Sequence, residues 1–152
     1  MNRKAIADGL VRKYGTRNPF VIADEMGFIV VFVPLVGMRG FQQAAKRRRF
    51  IYINSELDEM QQQLVCAHEL AHHLLHKGMN RIFMDQYTHT VTQKYENEAD
   101  LFAVELLYGD EDLRPYLERG AECAVAYMGV PYKLAEQRLQ EVAPEPPAAT
   151  WP

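Results

Sequence analysis

The pattern of apolar and polar residues near the start of the chain predicts two helices. Residues 2–14 alternate as in an amphipathic helix, and Gly15 is placed to end it. The pair Asn18-Pro19 is typical of a helix start, with Asn as the N-cap and Pro at the first helical position. We therefore expect a second helix that runs from this pair to about Met26.

The residues that follow predict a small β-sheet. Residues 28–33, FIVVFV, are all apolar and mostly β-branched or aromatic, which predicts a strand covered on both faces. Residues 40–54 are typical of a hairpin, with the basic run at 46–49 as its turn. In its second strand, alternation places Ile51 and Ile53 together on one face.

Helical segments follow the hairpin and decide the fold class. From Leu57 to Lys77 there is no Gly or Pro, and most residues favour a helix. A capping-box pattern at Thr90–Gln93 predicts another helix that reaches Tyr108. Shorter helices are expected at about 115–119, 121–128 and 133–142, and a loop at 79–90. A small, mostly antiparallel sheet flanked by helices is an α+β fold.

Length and composition are those of one ordinary globular domain. The chain has 152 residues, of which 48% are hydrophobic and 24% charged, as is typical of soluble proteins. We expect residues 1–142 to form this domain. The tail, residues 143–152, holds four of the eight prolines and is expected to be disordered.

Charge and cysteine content narrow the class of protein further. The net charge of −3 argues against a protein that binds phosphate backbones, so no direct nucleic-acid partner is expected. Two cysteines cannot build a disulfide scaffold. The N-terminal segment has charges throughout and lacks the apolar core of a signal peptide. These observations predict a soluble, cytoplasmic protein with no membrane partner.

Candidate chemistry is concentrated in the string HELAHHLLH, residues 68–76. His68 and His72 are four residues apart on the predicted helix, so their imidazoles point the same way and can meet one zinc ion. Glu69 is rotated away from them but can reach a water at the metal, which is the H-E-x-x-H pattern of two ligands and a general base. His76 lies ~12 Å along the axis from His68, too far to join them on a straight helix. We expect His73 and His76 on the helix surface or at the edge of the core.

A catalytic zinc needs a third protein ligand, which the next helix offers. Glu96 and Asp100 are four residues apart, on the same face as the small residue Ala103. We choose Glu96 as the third ligand and Asp100 as the acceptor of an imidazole N–H from a ligating histidine. Glu98 is the alternative ligand, although its position on the helix suggests greater exposure.

The motifs HELAHHLLH and ENEADLFAVELL resemble those of the ImmA/IrrE family of small gluzincin-type metallopeptidases. The preceding YINSEL and the late GVPYKLAEQRL are also similar, and the likeness covers most of residues 1–142. It implies a zincin-like core, one Zn²⁺ per chain and an intracellular endopeptidase. It also implies a protein substrate that is a helix-turn-helix transcriptional repressor, on a phage or mobile element or in a stress response. Tyr108-Gly109 departs from the Met-Pro that relatives often carry after this helix.

The motif predicts a hydrolytic mechanism with Glu69 as general base and then as proton donor to the leaving amine. A further donor to the oxyanion is expected. The candidates are Tyr52, Tyr87, His89 and Tyr95, and no spacing rule selects among them.

Two other functions are compatible with the sequence. One is a zinc-stabilised regulator that binds a repressor or another protein without cutting it. The other is a DNA-binding protein, for which the basic run 46–49 is one support. The C-terminal helices could resemble a small DNA-binding module, but no basic face accompanies them and completing the core is their more ordinary role. A solvated hairpin tip is the more ordinary interpretation of such a run.

Overall fold

A computed structural model describes residues 2–76 and 89–145, and it describes residues 89–92 by their backbone alone. The described residues form two compact units, one within residues 1–107 and the other within 108–152. Their helices are α1 (Arg3–Tyr14), α2 (Pro19–Glu25), α3 (Glu59–Leu75), α4 (His89–Leu107), α5 (Asp110–Arg119), α6 (Ala121–Met128) and α7 (Tyr132–Gln140). The strands are β1 (Phe28–Val33), β2 (Gly40–Ala45) and β3 (Arg48–Asn54). Helices beside a small sheet confirm the predicted α+β class.

The sheet of the first unit has the order β1-β3-β2. β2 and β3 form the predicted antiparallel hairpin, but β1 pairs with β3 in parallel, so the sheet is mixed rather than mostly antiparallel. The pairing with β1 is parallel because β3, and not β2, lies beside it. Its turn is shorter than predicted, because Ala45 pairs directly with Arg48 and only two residues lie between them.

β1 lies at the edge of the sheet and is not covered on both faces as predicted, because several of its side chains are exposed. Phe28 is buried, whereas Ile29 and Phe32 are about half exposed. Phe32 instead contacts the ring of Phe20 on α2, with 5.6 Å between ring centroids. A run of apolar residues favours a buried strand. The position of that strand in the sheet depends on residues far along the chain.

The core of the first unit is centred on α3, which packs against the sheet and against α4. Ile51 and Ile53 of β3 are fully buried, as their predicted common face requires. They are joined in the core by apolar residues of α3 and α4: Leu64, Val65, Leu70, Ala71, Ala99, Phe102, Ala103 and Val104. This packing sets the two helices side by side and so positions everything that they carry on their facing sides.

Two polar residues tie the first unit together. The buried side chain of Asn54 donates hydrogen bonds to the main-chain oxygens of Leu35 and Met38, and it accepts one from the Glu56 amide. The fully buried Glu105 on α4 accepts a hydrogen bond of 2.6 Å from Arg3 on α1. Because a buried carboxylate is costly unless it is paired, Arg3 is part of the fold rather than a surface charge.

The second unit is built from α5, α6 and α7 around Leu113, Ala124, Met128 and Ala135. Arg138 is 1% exposed and donates to the Tyr108 carbonyl and to Asp110. α5 begins five residues before its predicted start, because the Asp112 carboxylate accepts from the Gly109 amide and caps the helix there.

In the part of the chain that the structure describes, no helix is long and apolar enough to cross a membrane. A single domain over 1–142 stays a prediction beside the two units found here. Most of the proline-rich tail lies outside the described residues.

Candidate metal centre

Helix α3 presents the histidine string to the core of the first unit. It begins at Glu59, where the Asp58 side chain accepts a hydrogen bond of 2.8 Å from the Gln61 amide, and it ends at Leu75 with His76 as its C-cap. The sequence predicted this helix from Leu57, two residues before its observed start, to Lys77, which lies outside the described residues. Its buried side includes Leu64, Ala67 and Ala71, so His68 and His72 face inward as their spacing predicts.

Three donor groups from α3 and α4 meet at one point. The Nε2 atoms of His68 and His72 are 3.1 Å apart, and each lies 3.0 Å from an oxygen of the Glu96 carboxylate. One ligand atom from each of the three residues lies within 4.8 Å of the other two. The structure therefore brings together the three residues chosen from the sequence and places Glu96, not Glu98, between the two imidazoles.

Asp100 lies behind His68, as its spacing from Glu96 predicts. The Nδ1 atom of His68 donates to Oδ1 of Asp100 over 2.8 Å. This contact fixes the plane of the ring and directs Nε2 toward Glu96. Carboxylates that hold the far nitrogen of an imidazole are typical of histidines that bind metals.

The charges of the cluster balance one another. Burial lowers the pKa of His68, but hydrogen bonds to Asp100 and Glu96 outweigh it and raise the pKa to about 9. Burial raises the pKa of Glu96, but hydrogen bonds to His68 and His72 outweigh it and hold that pKa well below its usual range. In the metal-free protein, protonated His68 therefore lies against the carboxylate of Glu96.

Glu69 follows His68 on α3 and is 2% exposed. The side-chain amide of Gln42, on β2, donates to the Glu69 carboxylate over 3.1 Å and to the Glu69 main-chain oxygen over 2.9 Å. Nothing in the sequence singled out Gln42. Gln42 is one of several residues of β2 whose side chains alternate between the two faces of the sheet. No local feature of the sequence indicated that the hairpin would pack against α3.

His76 is the second residue whose place the sequence did not reveal. It is buried, its Nδ1 atom lies 2.9 Å from Nδ1 of His72, and its Nε2 atom donates to Glu98 over 3.1 Å. Burial lowers the pKa of His76. Glu98 is half-buried to the same degree as Glu96, so the greater exposure predicted for it is wrong.

The structure describes the four candidate oxyanion donors to different extents. Tyr87 lies outside the described residues, and of His89 only the backbone is described, at the start of α4. Tyr95 packs edge-on against His76, with 4.6 Å between ring centroids. Tyr52 is next in sequence to Ile51, which is paired with Gln42, so its ring lies on the face of the sheet away from Gln42. No oxyanion donor is therefore assigned.

A histidine pair and a carboxylate on two packed helices, with a buried glutamate next to the first histidine, define a metallopeptidase of zincin-like α+β architecture. The model of the Peptidase M78 family, described as the IrrE N-terminal-like domain, matches residues 23–140. The chain belongs to this ImmA/IrrE family, which confirms the resemblance found in its motifs.

Two relatives cover most of the chain. "Uncharacterized immunity region protein 2" of Bacillus phage phi105 is 38% identical over 135 residues, which are 87% of this chain and 85% of the relative. "Metallopeptidase ImmA" of Bacillus subtilis (strain 168) is 31% identical over 139 residues, which are 88% of this chain and 81% of the relative. A metallopeptidase implies a metal and a protein substrate.

Proposed function

We propose that the protein is a zinc-dependent endopeptidase that cleaves a helix-turn-helix transcriptional repressor. His68, His72 and Glu96 hold one Zn²⁺, Asp100 orients His68, and Glu69 is the general base. The observation that carries this proposal is the convergence of the three donor groups within 4.8 Å of one another, next to a buried glutamate.

The donor set fits zinc in kind and in number. Two imidazole nitrogens and one carboxylate are the three protein ligands of one class of catalytic zinc site, which leaves a further position open. The orientation fits as well, because Asp100 occupies Nδ1 of His68 and leaves Nε2 toward Glu96.

When bound, zinc supplies a Lewis acid and makes a water more acidic. Glu69 would take a proton from a water as its oxygen adds to the peptide carbonyl carbon, and would deliver that proton to the amide nitrogen as the C–N bond breaks. Gln42 holds the Glu69 carboxylate in one orientation, and burial keeps bulk water away from it.

The sheet offers a route for the substrate. β2 lies at the edge of the sheet, and residues 43–45 at its end are exposed. An extended peptide that pairs with this edge would run close to Glu69, because Gln42 of the same strand contacts Glu69. One relative is named for a phage immunity region, which supports a repressor as the substrate that the family resemblance implies.

The first test is metal content, measured by elemental analysis on protein purified without added metal. We expect about one zinc per chain in the wild type and in Glu98→Ala, and loss of zinc in Glu96→Ala. Loss in Glu98→Ala alone would move the third ligand. No zinc in the wild type, even after zinc is added, would overturn the metal centre.

The second test is cleavage of the repressor encoded nearest to this protein's gene, followed by mass spectrometry. Glu69→Gln should keep its zinc and lose cleavage, because an amide cannot accept the proton. If Glu69→Gln relieves repression as fully as the wild type, the protein acts as a zinc-stabilised regulator that binds its partner without cutting it.

A further inference from the structure

The third histidine of the string, His76, belongs to a chain of contacts that ends at His72. Nδ1 of His72 lies 2.9 Å from Nδ1 of His76, and Nε2 of His76 lies 3.1 Å from Oε2 of Glu98. The side chain of His76 is 3% exposed, so it cannot exchange these partners freely for water. Tyr95 packs edge-on against the same ring and limits its rotation.

In the zinc-bound protein, one arrangement of the protons satisfies both hydrogen bonds of this chain. A carboxylate oxygen of Glu98 accepts the hydrogen bond, so Nε2 of His76 carries the N–H between them. A neutral imidazole has one N–H, which leaves Nδ1 of His76 as an acceptor. The hydrogen bond of 2.9 Å then requires that Nδ1 of His72 donates. With zinc bound, the lone pair of His72 would then be on Nε2, the atom that lies 3.0 Å from Glu96 and 3.1 Å from Nε2 of His68; without the metal, the same atom donates to Glu96.

We propose that His76 and Glu98 are positioning residues for the metal centre, and that Glu98 acts through His76 to fix the tautomer and ring orientation of His72. This inference rests on the proposed zinc site. Each ligating histidine then has its own support: Asp100 holds His68 directly, and Glu98 holds His72 through one intervening imidazole. It also explains why Glu98 lies near the site without reaching the point where the donors meet.

The first experiment measures zinc affinity by competition with a chelator. His76→Phe keeps a ring against Tyr95 but removes both hydrogen bonds, and we expect it to weaken zinc binding about 10–100-fold. His76→Gln keeps one acceptor and one donor, so its affinity should stay within about threefold of the wild type. His73→Ala is the matched control on the same helix, because the His73 ring lies against Phe28 and Arg49 instead, and it should bind zinc as the wild type does.

The dependence of Glu98 on His76 has its own test. Glu98→Gln should weaken zinc binding several-fold on its own. Combined with His76→Phe, it should add no more than about twofold, because contacts that act in series are not additive. If the loss of zinc affinity in the double variant equals the product of the two single losses, Glu98 does not act through His76. An affinity of His76→Phe equal to that of the wild type would overturn the proposal as a whole.

A spectroscopic measurement is independent of activity. In the zinc-loaded wild type, two-bond ¹H–¹⁵N spectra should show His76 as a neutral ring protonated at Nε2, and protonation at Nδ1 would contradict the proposal. A wild type that binds zinc but cleaves nothing would overturn the peptidase and leave this inference standing. A wild type that binds no zinc would overturn both.

Discussion

The side-chain amide of Gln42 donates to both the main-chain oxygen and the carboxylate of Glu69, over 2.9 and 3.1 Å. The two residues are 27 positions apart and come from a strand and a helix. Through this contact, the edge of the sheet fixes the group that is proposed to move the proton.

Replacing Gln42 should therefore slow the chemical step and spare the metal. Loss of a hydrogen bond to a charged group is worth about 1.5 kcal/mol or more, so Gln42→Leu should lower kcat about tenfold. KM should change less than twofold, and zinc content should stay at the wild-type level. Gln43→Leu is the control, since Gln43 is exposed and points to the other face of β2. Equal kcat values for the two variants would contradict a positioning role.

Zinc binding should release a proton from His68. Burial lowers its pKa, but the Asp100 and Glu96 carboxylates raise it to about 9, so His68 is protonated at pH 7 in the metal-free protein. The ligand must be neutral, so zinc affinity should rise about tenfold per pH unit and level off above pH 9. Calorimetry in buffers of different ionisation enthalpy measures the released protons directly. Asp100→Asn should release fewer at pH 8, and a wild-type heat that does not depend on the buffer would contradict the assignment.

His68 and Glu96 should make the stability of the metal-free protein depend on pH. The pKa of His68 is raised above its ordinary 6.5, so its contribution is fully present below pH 6.5 and is lost as the pH rises through about 9. The pKa of Glu96 is lowered from 4.5, so its contribution is present above pH 4.5 and is lost in acid. Urea unfolding of the metal-free protein should show the alkaline loss between pH 6.5 and 9. His68→Gln should show a flatter curve over this range.

Gly40 should tolerate no side chain, because β2 approaches α3 closely at this residue. A Cβ atom there would lie 2.5 Å from Cγ1 of Val65 and 2.6 Å from the Tyr52 carbonyl oxygen. We expect Gly40→Ala to destabilise the protein by about 1–3 kcal/mol in chemical denaturation. Val65→Ala should relieve only part of this, since the carbonyl remains. Gly9→Ala in α1 is the matched control: its Cβ meets only Arg12, at 3.9 Å, and it should stabilise by about 0.5–1 kcal/mol.

The turn of the β2–β3 hairpin is strained and can be improved. Lys46 and Arg47 have φ values of 50° and 68°, the left-handed region that a two-residue turn of this kind requires and that Asn and Gly adopt more readily. Lys46→Asn combined with Arg47→Gly should add about 1 kcal/mol of stability, a rise in Tm of about 2–4 °C. The control Lys46→Ala with Arg47→Ala removes the same charges and keeps the strain. If both pairs raise Tm equally, charge rather than backbone conformation is responsible.

Elements with strong local signals were predicted from the sequence. Asn18 and Pro19 begin α2 as their types require, and residues 28–33 form β1 to the residue. The inward orientation of His68 and His72 also follows from their spacing on one helix, because the helical period acts within a single turn. α5 was predicted only in its second half, because its start depends on the carboxylate of Asp112 reaching back to Gly109.

The sequence by itself thus determined the α+β class, the histidine pair with Glu69, and the helix that supplies the carboxylates. Only the tertiary structure decided that Glu96 meets both imidazoles while Glu98 meets His76, because this depends on how α4 is rotated against α3. It also decided that Gln42 reaches Glu69 and that β1 lies at an edge of a mixed sheet. Spacing along the chain fixes directions within one element, but contacts between residues more than twenty positions apart are set by the packing of whole elements around the shared core.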